Sequence, residues 1–160
     1  MSKQADVGDP MPKVALTGAD GQPLDLSHFR GKPLVVFFYP KDDTPGCTTE
    51  NKDFSQLAPE FAKAGVALLG VSKDPPAKHA KFAAKHALVA PLASDAESGG
   101  LSDALGIWVE KSLYGRTYMG MERTTYLVDA AGKIARVWRK VKVKDHAAQV
   151  LAAARELAGA

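Results

Sequence analysis

Cysteine is nearly absent from this 160-residue chain: Cys47 is the only one, so no disulfide can form within it. That usage points to a reducing compartment, the cytoplasm. No apolar run approaches the roughly 18–20 residues that a bilayer crossing needs. The opening MSKQADVGDPMP has no apolar stretch either, so neither a membrane partner nor a secretory leader is expected. Strong charge of one sign is also missing. Against 21 Lys and Arg stand 18 Asp and Glu, and a formal net charge of +3 does not argue for nucleic acid. The densest basic stretch, ARVWRKVKVK (135–144), alternates like a solvated strand face. His28, His79, His86 and His146 are scattered without helical pairing, so a metal site is not expected. Asp42 and Asp43 read as solvated turn residues, and SGGL (98–101) is too short a glycine signal for a nucleotide loop.

What is present is a hydrophobic content of 46%, enough to bury a real core, with no linker, repeat or low-complexity segment. Residues 1–160 therefore read as a single domain. VALTGADGQPLDL (14–26) suggests an N-terminal hairpin, with Ser27 capping a short helix after it. PLVVFFYP (33–40) and VALLGVS (66–72) have the continuous apolar character of strands buried on both faces. Between them Phe54, Leu57, Ala58 and Phe61 repeat with helical spacing, and Pro59 predicts a kink or break. Pro75 and Pro76 open a second helix, APLASD (90–95) is a third strand, and a small helix runs through SGGLSDALGI. TTYLVDAAGKIARVWRKV (124–141) reads as a second hairpin and 145–158 as a closing helix, with Asp145 as its cap. The order implies an α/β fold: a thioredoxin-like sandwich with a central mixed β-sheet flanked by helices and an N-terminal β-hairpin.

Cys47 falls where the strand 33–40 gives way to a helix, the end of an α/β sheet at which ligands usually bind. In a first helical turn its sulfur meets unpaired amides and the positive end of the helix dipole. Both favour the thiolate, which is the reactive nucleophile. Gly46 lets the backbone approach closely, Pro45 presets a helical φ, and Thr44 offers a hydroxyl beside the sulfur. A lone cysteine is also a common small core residue. The polar neighbours Lys41, Asp42, Asp43, Thr44, Thr48, Thr49 and Glu50 argue against deep apolar burial, and the residues by themselves leave both readings open.

YPKDDTPGCTTE, with Pro40, Thr44 and Cys47, resembles the Pro-x-x-x-Thr-x-x-Cys signature of the peroxiredoxins. YGRTYMGMERTTYLVDAAGKIARVWRKVKV (114–143) resembles the Q-type, or bacterioferritin comigratory, subgroup, and the likeness runs from about residue 7 to the last helix. The resemblance implies a thiol-dependent peroxidase, an oxidoreductase of antioxidant role, reducing hydrogen peroxide and organic hydroperoxides. Cys47 would be the peroxidatic nucleophile, passing through a sulfenic acid. Thr44 would hydrogen-bond the thiolate and the incoming oxygen, Arg123 would hold the sulfur as an anion and polarise the peroxide, and Pro40 would shield it. No metal, haem or flavin cofactor is implied. Glu50, three residues on, would orient Arg123 or simply be an acid near a helix start. Tyr39 would line the pocket or pack beneath it, while Trp108, Tyr114 and Met119 read as core or rim.

The chain departs from the subgroup in its resolving cysteine. Lys52, Ala83 and Ser102 stand where relatives carry one, so none is available here. Either this is a natural one-Cys enzyme or a cysteine has been replaced, with Ala83 or Ser102 the candidate positions. In both cases the sulfenic acid needs an external thiol: thioredoxin, glutaredoxin or glutathione. The resemblance also implies a monomer and local unwinding around Cys47. A peroxide-responsive redox sensor using the same cysteine without turnover is the alternative function. A disulfide oxidoreductase is disfavoured, because Glu50 stands where a Cys-x-x-Cys pair needs its second thiol.

Overall fold

The structure, a computed structural model, describes residues 5–12, 14–29, 31–95 and 100–159, without the side chain of His28. The first four residues of the lead-in and Ser98 and Gly99 of the glycine stretch lie outside the described residues. The N-terminal hairpin is present as β1 (Leu16–Gly18) against β2 (Pro23–Leu24). A 3-10 turn follows over Leu26–Phe29. Its cap is Asp25 rather than Ser27: the Asp25 carboxylate accepts the Ser27 amide at 2.8 Å, which places Ser27 inside the turn.

Then come β3 (Leu34–Phe38), α1 (Pro45–Lys63), β4 (Ala67–Ser72), α2 (Pro76–His86), β5 (Leu92–Ser94) and α3 (Leu101–Leu105). Pro59 does not break α1. Phe54 and Phe61, on either side of it, are both fully buried, and that packing outweighs the amide the proline lacks.

A two-stranded hairpin that the sequence reading lacked follows, β6 (Trp108–Leu113) against β7 (Arg116–Met121). Its turn residues Tyr114 and Gly115 both have positive φ, 51° and 75°, the geometry that matches strand twist across a two-residue loop. The expected second hairpin is β8 (Thr124–Val128) against β9 (Ile134–Trp138), and α4 (His146–Ala158) closes the chain. Asp145 stands at the cap position of α4 but at φ 60°, and its side chain caps nothing; its carbonyl accepts the Gln149 amide at 3.1 Å instead.

The main sheet has the order β2-β1-β5-β4-β3-β8-β9. Pairing is parallel within β5-β4-β3 and antiparallel elsewhere, so the sheet is mixed. Val35, Phe37 and Tyr39 point to the face covered by α1, α2 and α4, while Leu34, Val36 and Phe38 point to the face covered by α3 and the lead-in. This two-sided burial explains the continuous apolar run in β3. At the centre, a Cβ on Gly70 would sit 2.7 Å from Phe37 Cζ. Phe37 in turn stacks on Phe54 with centroids 4.3 Å apart, so the glycine is what lets α1 lie close to the sheet. Among the described residues no helix is long and apolar enough to cross a membrane.

Candidate active site

The register of β3 against β8 decides which residues meet. Phe38 pairs with Thr124, so Arg123, just before β8, lies beside the carboxyl end of β3 from which the loop to α1 departs. Pro45 takes the first helical position and Cys47 falls in the first turn, where amides have no helical acceptor. Against the expectation from its polar neighbours, Cys47 is 1% exposed and belongs to the apolar cluster that holds Tyr39 and Phe54, because the helix turns its sulfur inward to the sheet. Arg123 reaches it across 76 residues of sequence: Nη2 donates to Sγ at 3.3 Å, and Nη1 donates to Glu50 Oε1 at 2.5 Å. Gly46 eases that approach, because a Cβ there would stand 3.3 Å from Arg123 Nη2, a tight contact.

One guanidinium thus bridges a sulfur and a carboxylate that share a helix face. Burial pushes the Glu50 carboxyl up to about 7, with Arg123 opposing the rise. Among the described residues Glu50 Oε2 is buried without a hydrogen-bond partner, which is consistent with that direction. Burial works against the charge on Arg123, but Glu50 and Cys47 outweigh it and hold the guanidinium above its ordinary value. Asn51 supports the turn from behind, its Nδ2 donating to the Cys47 carbonyl at 3.0 Å.

The other expected residues are near but differently engaged. Thr44 is half-buried and its hydroxyl donates to the Lys41 carbonyl at 2.9 Å; among the described residues no hydrogen bond joins it to Cys47. Pro40 is half-buried at the end of β3. Tyr39 is fully buried, so it packs beneath the site, and its hydroxyl donates to Asp42 Oδ1 at 2.6 Å. Lys52 is exposed, Ala83 packs against the same apolar cluster as Cys47, and Ser102 is buried on α3. Tyr114 and Met119 are exposed on the new hairpin, while Trp108 is half-buried at its base.

Asp42 is not the solvated turn residue that its sequence suggested: it is 2% exposed. Its Oδ2 lies 2.7 Å from Nδ1 of the fully buried His79, and its amide donates to Asp74 Oδ2 at 2.7 Å. Asp43 is exposed, as expected, but is paired with Lys85 and His86 at the end of α2. Asp42, Asp74, His79 and Asn51 were all missed as supports of the site. The one available signal was helical spacing, since His79 precedes the core residue Phe82 by three positions.

Two basic groups complete the surroundings. Lys111, from β6, donates to the Met121 carbonyl, and burial followed by the charge of Arg123 lowers its pKa. His146 hydrogen-bonds Thr125 Oγ1 through Nε2 at 2.8 Å and lies edge-on to Phe54 and Trp138. Burial first, then the Arg123 charge, brings His146 down to about 4, so it is neutral at neutral pH.

Known proteins resemble this chain over most of its length. Residues 7–137 match the model of the AhpC/TSA family. The chain is 44% identical over 146 residues to peroxiredoxin Bcp of Bacillus subtilis, covering 91% of this chain and 92% of that protein. It is 46% identical over 140 residues to peroxiredoxin Bcp of Xanthomonas campestris, covering 88% and 87% respectively. A solved structure of the Xanthomonas campestris bacterioferritin comigratory protein, whose alkyl peroxide reduction activity has been studied, superposes with a TM-score of 0.88. It is 42% identical and covers 96% of this chain and 99% of that one.

Proposed function

The chain belongs to the AhpC/TSA family as a thiol-dependent peroxidase of the Bcp/PrxQ peroxiredoxin type, and on that premise we propose that Cys47 is its peroxidatic nucleophile. The observation that carries this reading is the Arg123 bridge, with Nη2 at 3.3 Å from Sγ and Nη1 on Glu50. A peroxide entering beside Gly46 and Thr44 meets the sulfur with a cation already aimed at it. The thiolate attacks one peroxide oxygen; the S–O bond forms as the O–O bond breaks, and two electrons pass from sulfur to peroxide. The leaving alkoxide or hydroxide takes up a proton, giving an alcohol or water and leaving a Cys47 sulfenic acid. Arg123 stabilises charge that grows on oxygen in the transition state, in the manner of an oxyanion-hole donor. Because the Thr44 hydroxyl spends its proton on Lys41, it serves as acceptor for the peroxide O–H and so orients it.

With no second cysteine in the chain, the sulfenic acid is resolved by an external thiol. That thiol forms a mixed disulfide with release of water, and a second thiol regenerates Cys47. The relatives' names speak of peroxidases and do not favour the sensor alternative. The test is peroxide consumption with thioredoxin, glutaredoxin or glutathione as reductant. Catalytic turnover with at least one of them, and its loss in Cys47→Ser, is expected. Turnover that survives Cys47→Ser overturns the assignment of the nucleophile.

A further inference from the structure

The loop between β3 and α1 is only residues 39–44, yet it carries Pro40 and Thr44 and sets the direction in which α1 begins. It is fastened almost entirely from one side. The Asp42 carboxylate, itself buried, accepts the Tyr39 hydroxyl on Oδ1 at 2.6 Å and faces His79 Nδ1 with Oδ2 at 2.7 Å. The Tyr39 pKa is raised, by burial first and by Asp42 second, so its phenol keeps the proton it donates. The tautomer that gives the other Asp42 oxygen a donor is the one protonated on Nδ1. The Asp42 amide is held by Asp74, which also accepts from Ser72 Oγ at 2.7 Å and Lys78 at 3.0 Å. Asp43, next along, adopts φ 63° and is paired with Lys85 and His86.

A buried acid is costly unless its acceptors are filled, and here the buried Tyr39 and His79 fill those of Asp42. What it supplies is direction, since its two oxygens fix the orientation of the chain immediately before the left-handed residue Asp43. Two residues later the helix starts, and Cys47 Sγ must point at Arg123 rather than elsewhere. We propose that Asp42 and His79, with Tyr39, are positioning residues of the peroxidatic centre, clamping the 40–44 loop to α2 so that Thr44 and Cys47 are held in reactive register with Arg123. This rests on the reading of Cys47 as the nucleophile.

The test reads the second-order rate constant for oxidation of the pre-reduced protein by hydrogen peroxide, followed by tryptophan fluorescence in a stopped-flow instrument. His79→Leu keeps the volume and deletes the donor, and a fall of about tenfold or more is expected, since small misplacements of reacting groups carry losses of that order. His79→Asn puts an amide N–H where Nδ1–H was and is expected to restore the rate to within about threefold of wild type. Leu151→Ala, in the core of α4, lowers stability while leaving every hydrogen bond of the clamp in place, and should leave the rate unchanged. Hydrogen exchange of residues 40–48 should quicken in His79→Leu and not in Leu151→Ala. Should His79→Leu not fold, Tyr39→Phe deletes one donor with the ring packing intact, and about a threefold slowing is expected.

A wild-type rate in His79→Leu (or in Tyr39→Phe, where that variant replaces it) overturns the inference. So does an Asn variant as slow as Leu, or an equal slowing in Leu151→Ala. Failure of the underlying reading is distinct: the wild-type protein would then show no oxidation of Cys47 at all.

Discussion

Glu50→Gln removes a charge from a side chain that is 1% exposed while keeping its shape and a carbonyl acceptor for Arg123. Burial brings the native carboxyl up to about 7 from an ordinary 4.5. The folded chain therefore holds that proton more tightly than the unfolded chain does. The cost of the buried carboxylate is absent below about pH 4.5, grows as pH rises, and is complete above about pH 7. Stability changes by about 1.4 kcal/mol for each step of one in pH between these limits, so the whole window is worth about 3 kcal/mol. Gln does not titrate, so the stability of Glu50→Gln relative to wild type should climb by about that amount across the same window.

Urea unfolding at a series of pH values, followed by the fluorescence of Trp108 and Trp138, measures the difference directly. The attraction of Arg123 acts on the ionised carboxylate and is already contained in the value of about 7. Any change of packing that does not titrate moves the whole difference curve and leaves its slope untouched. A difference that stays level within about 0.5 kcal/mol across the window would refute the argument, because Glu50 would then titrate alike folded and unfolded. Near pH 8 the same variant is also expected to slow peroxide oxidation of Cys47 by about tenfold, since a neutral acceptor orients a guanidinium more weakly than a carboxylate does. An unchanged rate removes the orienting role and leaves Glu50 as a packed acid.

Three further outcomes are expected. Arg123→Ala deletes the donor at 3.3 Å from Sγ and should lower the peroxide rate constant by about 10²–10³-fold in stopped-flow measurements; a loss under about threefold contradicts the proposed stabilisation. His146→Gln removes a group held down to about 4, whose depressed pKa takes stability away as pH falls from about 6.5 to about 4. In the urea series wild type should therefore be nearly level between about pH 4.5 and 6.5, where His146 and Glu50 act in opposite directions, and the variant should lose stability with rising pH; an unchanged profile refutes this. Gly70→Ala places a methyl group 2.7 Å from Phe37 Cζ and should cost about 1–3 kcal/mol, read as a fall in thermal midpoint; an unchanged midpoint would mean the stacked pair yields freely.

The parts of the fold legible in the sequence were those with one strong period or one strong exclusion. The unbroken apolar runs of β3 and β4 could only be interior strands, and the Phe54/Phe61 spacing announced α1. The β6–β7 hairpin was harder, because its strands are largely exposed and carry no buried stripe. Its signal was Tyr114-Gly115 at the turn, where a non-glycine residue takes positive φ at the first position. Asp42 misled for a different reason. An acid in a turn is ordinarily solvated, and only the fold brings His79, 37 residues away, and Tyr39 to its two oxygens. The Arg123–Glu50 contact could be offered from the sequence only as one of two alternatives. Its geometry depends on the antiparallel pairing of β8 with β3, which no local pattern states.

The same burial that prepares the first half of the proposed cycle obstructs the second. A peroxide is far smaller than a thiol carried on a protein, and the cysteine lies 1% exposed beneath Arg123. On the proposed cycle, resolution by a protein thiol would require the first turn of α1 to leave its place, and the contacts that would yield can be named. They are the Arg123 donor to the sulfur, the Asn51 bond to the Cys47 carbonyl, and the ties of the 40–44 loop to α2. Two of those ties, from Lys85 and His86 to Asp43, are at an exposed carboxylate and contribute little. The buried Asp42–His79 contact is the strong one. On that proposal, a chain opened by a protein reductant, with no cysteine of its own to trap the open form, would gain reactivity toward peroxide and lose speed of recycling from the same clamp. Loosening the loop should accordingly move the two half-reactions in opposite directions: slower oxidation by peroxide and faster attack by a protein thiol on the oxidised form.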